Sequence, residues 1–252
     1  MKAIILAAGQ GTRLRPLTDE KPKCMVEFKN KAIITYILET MAACGVEDIA
    51  VVDGYKKEVL EAFLPNSVKC FTNKKFNQTN MVSTLFCADS FMDDDLIISY
   101  ADIIYRPGIL EKLIASKADI GVVVDREWQA LWSQRMEDPL ADAETLKLDG
   151  AGKIIELGKK PTSYDDIEGQ YIGLIKISKS ALNSVKSFYA TLDRGALYDG
   201  QNFDNMYMTS FIQMIIDRLC PVEAVLIDGG WLEIDSVDDL KAYEESDTIN
   251  VL

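Results

Sequence analysis

Histidine is absent from all 252 residues. Its absence excludes Ser-His-Asp and Cys-His nucleophilic catalysis and H-E-x-x-H zinc chemistry. Any reaction must rest on carboxylates, lysines, arginines, backbone groups or a metal. Cysteine is scarce and odd in number: Cys24, Cys44, Cys70, Cys87 and Cys220 are scattered, and no C-x-x-C pair occurs. Reduced thiols are therefore expected, not a disulfide framework or a zinc site. No apolar run approaches the roughly 18 residues of a membrane span. Residues 1–8 faintly resemble a secretion signal, but the apolar run is short, and Arg13, Arg15 and two acids follow. The reading is a cytoplasmic protein with no membrane partner. Positive charge is also in deficit. The formal net charge of −13 leaves no basic surface for nucleic acid. It still permits a nucleotide ligand, which needs only a few cations in one pocket. Internal repeats and low-complexity tracts are missing as well.

What is present is an apolar chain, 48% hydrophobic, long enough for one large α/β domain. Residues 3–23 organise it. Ala3-Ile4-Ile5-Leu6-Ala7-Ala8 reads as a buried parallel strand. It runs into Gly9-Gln10-Gly11-Thr12-Arg13, where two residues without Cβ let the backbone turn N–H groups toward one point. Arg13 and Lys23 add a fork-shaped and a point cation. The stretch reads as a triphosphate cradle, although its spacing is that of neither a P-loop nor a dinucleotide fingerprint.

Strands and helices then alternate. The pattern predicts helices over 31–44, 55–64, 107–116, 178–192 and 202–219, and one capped by Thr79 or Asn80 that runs to about Met92. Strands are expected over 48–52, 67–72, 95–104, 119–125, 170–177 and 222–227, the last of these being the final strand. Residues 144–157 form a hairpin about Asp149-Gly150-Ala151-Gly152. Ser236 and Asp239 form a capping box for a helix from Val237, and 247–252 is a loose tail. Residues 126–143 lose regular periodicity and read as an insertion over the site. The result is a three-layer, Rossmann-like α/β fold with a mostly parallel sheet. Ligands of such sheets bind at the carboxyl ends of the strands. One domain spans 1–252, with 1–125 the nucleotide half and 126–252 the acceptor half.

Asp102 and one set of acidic and aromatic residues also carry chemistry. Asp102 follows a buried strand, opposite the cradle. It suits Mg²⁺, which takes one or two carboxylates plus phosphate oxygens, but an acid there also serves as a turn former. Asp125, Trp128, Trp132, Glu168, Tyr171 and Trp231 offer acidic and aromatic groups for an ammonium.

The motif Leu6-Ala7-Ala8-Gly9-x-Gly11-Thr12-Arg13-Leu14-x-Pro16-Leu17-Thr18-x-x-x-Pro22-Lys23 resembles the signature of the nucleotidyltransferases that activate sugar phosphates and related metabolites. Every fixed position is matched. The resemblance implies that Leu6 to Gly9, Gly11, Thr12 and Ala101 bind the nucleotide, with Arg13 and Lys23 on its phosphates. It implies Mg²⁺ on Asp102 and on Asp235 of Trp231-Leu232-Glu233-Ile234-Asp235-Ser236. It also implies that Lys160, or its neighbour Lys159, holds the acceptor phosphate. Asn77-Gln78-Thr79-Asn80-Met81-Val82-Ser83-Thr84 looks like the base-reading segment of the cytidylyltransferase branch, with Asn80 and Ser83 at the base.

The pattern around Leu131-Trp132-Ser133, Asp138-Pro139-Leu140 and Glu168-Gly169-Gln170-Tyr171 resembles the phosphocholine and aminoethylphosphonate group. Within it, 99–102 and 205–210 are nearest the enzymes of capsule phosphoramidate synthesis. The expected partners are CTP and a small phosphorylated or phosphonylated amine or amino acid. The acceptor-binding candidates are Asp125, Trp128, Lys159, Glu168 and Tyr171, and the chemistry leaves room for a homodimer. Two other readings are open: a sugar-1-phosphate nucleotidyltransferase using UTP, dTTP or GTP, and a non-catalytic nucleotide-binding module.

Overall fold

Eleven strands and eight helices position the site in the computed structural model, which describes residues 1–245. The strands are β1 Lys2–Leu6, β2 Asp48–Asp53, β3 Lys69–Thr72, β4 Leu96–Tyr100, β5 Ile103–Tyr105, β6 Ile120–Asp125, β7 Leu146–Leu148, β8 Ile154–Leu157, β9 Gln170–Ile177, β10 Glu223–Ile227 and β11 Trp231–Glu233. The helices are α1 Ile33–Ala43, α2 Lys57–Phe63, α3 Met81–Phe86, α4 Pro107–Ala115, α5 Trp128–Arg135, α6 Lys179–Thr191, α7 Met208–Arg218 and α8 Val237–Glu245.

The central sheet has seven strands in the order β10-β6-β9-β4-β1-β2-β3. All pairings are parallel except those of β9, which runs antiparallel to both its neighbours. In β1, Ala3 and Ile5 face one apolar cluster, while Ile4 and Leu6 face the other. That period-2 alternation, apolar on both sides, makes a strand covered on both faces. Helices α1, α2, α4, α5 and α8 cover the first face, and α3, α6 and α7 the second. The three-layer α/β fold with a mostly parallel sheet is as expected.

Several boundaries differ from the sequence reading. Helix α1 starts at Ile33, because Lys31–Ala32 pairs with Glu27–Phe28 in a short ladder. Helix α3 stops at Phe86 and is followed by a 3-10 turn at Asp89–Phe91. The 126–143 segment contains a helix after all. Trp128, Leu131 and Trp132 are buried, but eight residues are too few to display a clear period. Residues 202–207 are not α-helical: Gln201–Asn202 closes a hairpin with Leu197–Tyr198, and Phe203–Asn205 is a 3-10 turn. The helix there begins at Met208.

Strand β10 is not the final strand. Trp231–Glu233 forms β11 against β5. The Ser236–Asp239 box is made: the Asp239 N–H donates to Ser236 Oγ (3.1 Å), and the Ser236 N–H donates to Asp239 Oδ2 (2.8 Å). The tail at 247–252 lies outside the described residues. No helix among the described residues is long and apolar enough to cross a membrane.

Candidate active site

The loop after β1 leaves the sheet at its carboxyl edge, as the parallel topology requires. Gly11 adopts φ +59°, and a Cβ there would lie 2.8 Å from Lys23 Cβ. Only glycine lets the turn close on the lysine. Thr18, fully buried, donates to the Gly11 carbonyl at 2.8 Å and fixes the same contact.

Lys23 is thereby carried beneath the end of β4. Its Nζ donates to Asp102 Oδ2 at 2.7 Å and to Asp235 Oδ1 at 2.6 Å. The two carboxylates arrive from distant parts of the chain through one backbone ladder. Strands β5 and β11 pair antiparallel, and the Ile234 N–H donates to the Asp102 carbonyl at 2.9 Å. The exposed Arg13 guanidinium closes on the other oxygen of Asp235. Burial works against the Lys23 ammonium, but Asp102, Asp235 and Glu233 outweigh it and hold its pKa above the usual value. Asp102 Oδ1 is buried and accepts no hydrogen bond.

An open cleft of about 600 Å³ lies beside this cluster. Leu6, Ala7, Ala8, Gly9, Lys23, Asn80, Ala101 and Asp102 line it, as do Phe76, Thr79 and Thr84. Asn80 is also the N-cap of α3, its Oδ1 accepting from the Met81 N–H at 2.8 Å. Ser83 is a correction. Its hydroxyl donates to the Asp204 carbonyl at 2.9 Å, and it does not line the cleft. Thr84, one residue on, takes the place on the cleft wall. Gly11, Thr12 and Arg13 sit in the loop beyond this wall.

A second cleft, about 900 Å³, meets the first at Asn80 and Met81. Tyr100, Trp132, Tyr171 and Trp231 form its aromatic walls. Asp142, Glu144 and Glu233 supply acid, and no lysine or arginine lines it. Tyr100 and Tyr171 meet edge to face with centroids 5.7 Å apart, and Trp132 and Trp231 lie 5.8 Å apart. Gln170 clamps the Glu144 backbone, donating to its carbonyl and accepting from its N–H. Burial raises the Glu144 carboxyl above its usual range, against a lowering contact from Thr209. Burial likewise lifts Glu233 to about 7, with Asp102 and Asp235 adding to it and Arg135 opposing.

Four acceptor candidates fall outside this cleft. Asp125 is 1% exposed and fully occupied: it accepts from Trp231 Nε1 and the Gly229 N–H (both 2.8 Å) and from the Glu127 N–H (3.0 Å). It supports the wall as a buried, satisfied acid. Trp128 is buried between Trp132 and Tyr164. Glu168 accepts from the Leu148 N–H and ties β7 in place. Lys159 pairs with Glu156 on the surface. Lys160 reaches Leu140 and Ala141, donating to both carbonyls beside Asp142 of the cleft. Of that set, Tyr171 is the one on the wall.

Sequence reasoning missed Tyr100, Glu144, Gln170 and Glu233. A signal existed for Tyr100: it ends the strand that leads into Asp102, and so stands at the same carboxyl edge of the sheet. Glu233 likewise ends the strand that leads into Asp235.

Comparison with known proteins fits this geometry. A family model described as the MobA-like NTP transferase domain matches residues 3–163. A CTP:phosphoglutamine cytidylyltransferase of Campylobacter jejuni is 52% identical, over 97% of this chain and 100% of that one. A UTP–glucose-1-phosphate uridylyltransferase of Haloferax volcanii is 31% identical, over 97% and 96%. The solved structure of the CTP:phosphocholine cytidylyltransferase of Streptococcus pneumoniae superposes with a TM-score of 0.71 at 24% identity, over 97% of both chains.

Proposed function

This chain belongs to the MobA-like NTP transferase domain family, is a nucleotidyltransferase, and, we propose, joins CMP from CTP to a small phosphorylated zwitterion. L-Glutamine phosphate is the favoured acceptor, with phosphocholine and 2-aminoethylphosphonate behind it. The product suits modification of a capsule or other surface polysaccharide. The relative at 52% identity supports CTP and the acceptor class. The observation that carries the reading is the junction of two clefts. One has a phosphate-loop wall. The other is aromatic and acidic, and the Lys23–Asp102–Asp235 cluster stands close to where they meet.

An acceptor phosphate oxygen attacks the α-phosphorus of CTP; the P–O bond to the β-phosphate breaks and pyrophosphate leaves. The nucleophile is already an oxyanion, so no histidine base is needed. The protein aligns the reactants and offsets charge. Residues 6–9 and Ala101 cradle the nucleotide, and Asn80, with Thr79 and Thr84, faces the base. Arg13 and Lys23 turn from the carboxylates to the triphosphate and balance charge building on pyrophosphate. Lys160, released from the Leu140 and Ala141 carbonyls, takes the acceptor phosphate from the rim. Tyr100, Tyr171, Trp132 and Trp231, with Glu144, hold the ammonium through ring faces and charge.

Enzymes of this family generally use a divalent metal. Asp102 and Asp235 fit Mg²⁺: they present hard oxygen donors, one of them buried without a partner. When held there by Asp102 and Asp235 it would offset the negative charge of the phosphates.

The test is pyrophosphate release with Mg²⁺, crossing CTP, UTP, ATP and GTP with the three zwitterions and glucose 1-phosphate. Turnover with CTP and one zwitterion is expected. Turnover with UTP and glucose 1-phosphate would sink the reading in favour of the activity in the name of the 31% relative.

A further inference from the structure

We propose that Arg135 is a positioning residue for the transfer, setting the Asp235 and Glu233 carboxylates from the helix that walls the acceptor cleft. The inference rests on the transfer reading above and concerns a side chain beyond the set assigned to the substrates.

Arg135 ends α5, one turn after Trp132, which lines the acceptor cleft. The residue is charged, yet its side chain is only 3% exposed. Its guanidinium makes three hydrogen bonds to two carboxylates. Nη1 donates to Glu233 Oε2 at 2.5 Å, Nε to Asp239 Oδ1 at 3.0 Å, and Nη2 to Asp239 Oδ2 at 3.4 Å. The Trp132 ring lies 5.2 Å from the guanidinium carbon. A buried cation held between two carboxylates is costly to assemble and is retained where geometry matters.

The partners explain what is being set. Asp239 Oδ2 also accepts from the Asp235 N–H at 2.9 Å and from the Ser236 N–H. The Asp235 backbone is thus pinned by a carboxylate that Arg135 pins in turn. Glu233, on the adjacent strand position, borders the acceptor cleft. One planar fork therefore fixes the acceptor-side wall, the cleft acid Glu233 and the carboxylate that faces Lys23. Lysine cannot replace it, because one ammonium nitrogen cannot reproduce a fork whose Nε and Nη2 take both oxygens of Asp239 while Nη1 reaches Glu233, and it lacks the flat face for Trp132. A salt link that merely anchored α5 to α8 would affect melting and leave turnover alone.

The experiment compares R135K, R135M and D239N with the parent protein in the pyrophosphate assay, well below each melting temperature. R135K keeps the charge and folds even if R135M does not. The expected result is a kcat lowered about 100-fold in R135K, from misplacement near 1 Å, with KM for CTP within about threefold. D239N should lose kcat in the same direction. R135K/D239N should be no worse than the poorer single variant, since both act through Asp235. A crystal structure of R135K should show the Asp235 carboxylate shifted from Lys23. Parental kcat in a folded R135K, or Asp235 unmoved in its structure, overturns the proposal. A parent protein silent with every substrate pair ends the transfer reading, and this proposal with it.

Discussion

Gly173 lies against the face of Tyr100 so closely that a Cβ built on it would come 2.5 Å from the ring carbons. Gly173 has φ +85° and sits within the register irregularity of β9, between Tyr171 and Ile175. The missing side chain is the space that Tyr100 occupies, and Tyr100 is a wall of the acceptor cleft. G173A should destabilise the fold by about 2 kcal/mol, through positive φ and overpacking together. It should also push the ring into the cleft and raise KM for the acceptor about tenfold, roughly 1.4 kcal/mol of binding. Thermal melting and steady-state kinetics on the same samples test this; unchanged acceptor KM counts against Tyr100 as a wall.

Lys23 holds two carboxylates whose side chains are 14–15% exposed. K23M leaves both without that cation, and breaking such a pair costs about 3 kcal/mol. CTP binding should fall below detection. Mg²⁺ in the millimolar range should raise the melting temperature of K23M by more than that of the parent, because it offsets the freed carboxylates. Equal shifts in both proteins would argue that Asp102 and Asp235 are not the metal ligands.

Positions at the start of α3 separate the side that faces the first cleft from the helix's other side. N80A removes an N-cap and should cost about 1 kcal/mol of stability while raising KM for CTP. S83A should leave KM for CTP at the parental value, since Ser83 bonds the Asp204 carbonyl instead. T84V, on the cleft wall, should behave like N80A in KM. If S83A alone weakens CTP, the assignment of that wall is wrong.

Glu144 gives a pH dependence with a definite sign. Burial raises its folded pKa above the usual carboxyl value, so the native state binds its proton more tightly than the unfolded chain does. As pH climbs from the ordinary carboxyl range through the raised value, stability contributed at this site declines. Over the same interval the ionised carboxylate forms, and affinity for an ammonium-bearing acceptor rises. E144Q should weaken both trends, leaving the part that Glu233 contributes from the same cleft. Melting temperature and acceptor KM measured across pH 4 to 8, on the parent and E144Q, would expose any failure of that pairing.

Much of the architecture was legible because it rests on period and punctuation. The β1 run, the Gly9–Gly11 turn and the strand ending near Asp102 are local signals, and the Ser236–Asp239 cap follows from spacing alone. The direction of β9 was not legible. Antiparallel and parallel strands buried on both faces have the same apolar pattern, and only packing between β4 and β6 decides. Side-chain aim in irregular segments was likewise hidden. Asp125 looks like a site acid in sequence, yet Gly229 and Trp231, far along the chain, come back to satisfy it. Trp128 and Trp132 are one helical turn apart, but Tyr164 covers the first and leaves the second on the cleft.

The pairing of β5 with β11 has a consequence for how the protein comes into being. Every wall of the nucleotide cleft is complete once the chain has been made through Asp102. The partner of that aspartate arrives with Trp231–Glu233, after all seven strands of the main sheet have been synthesised. A chain made only through Asp102 therefore carries every residue of the first cleft's wall and lacks the second carboxylate of the Lys23 cluster. The cluster closes only when the last strand folds back, so its completion is a late event in the life of each molecule.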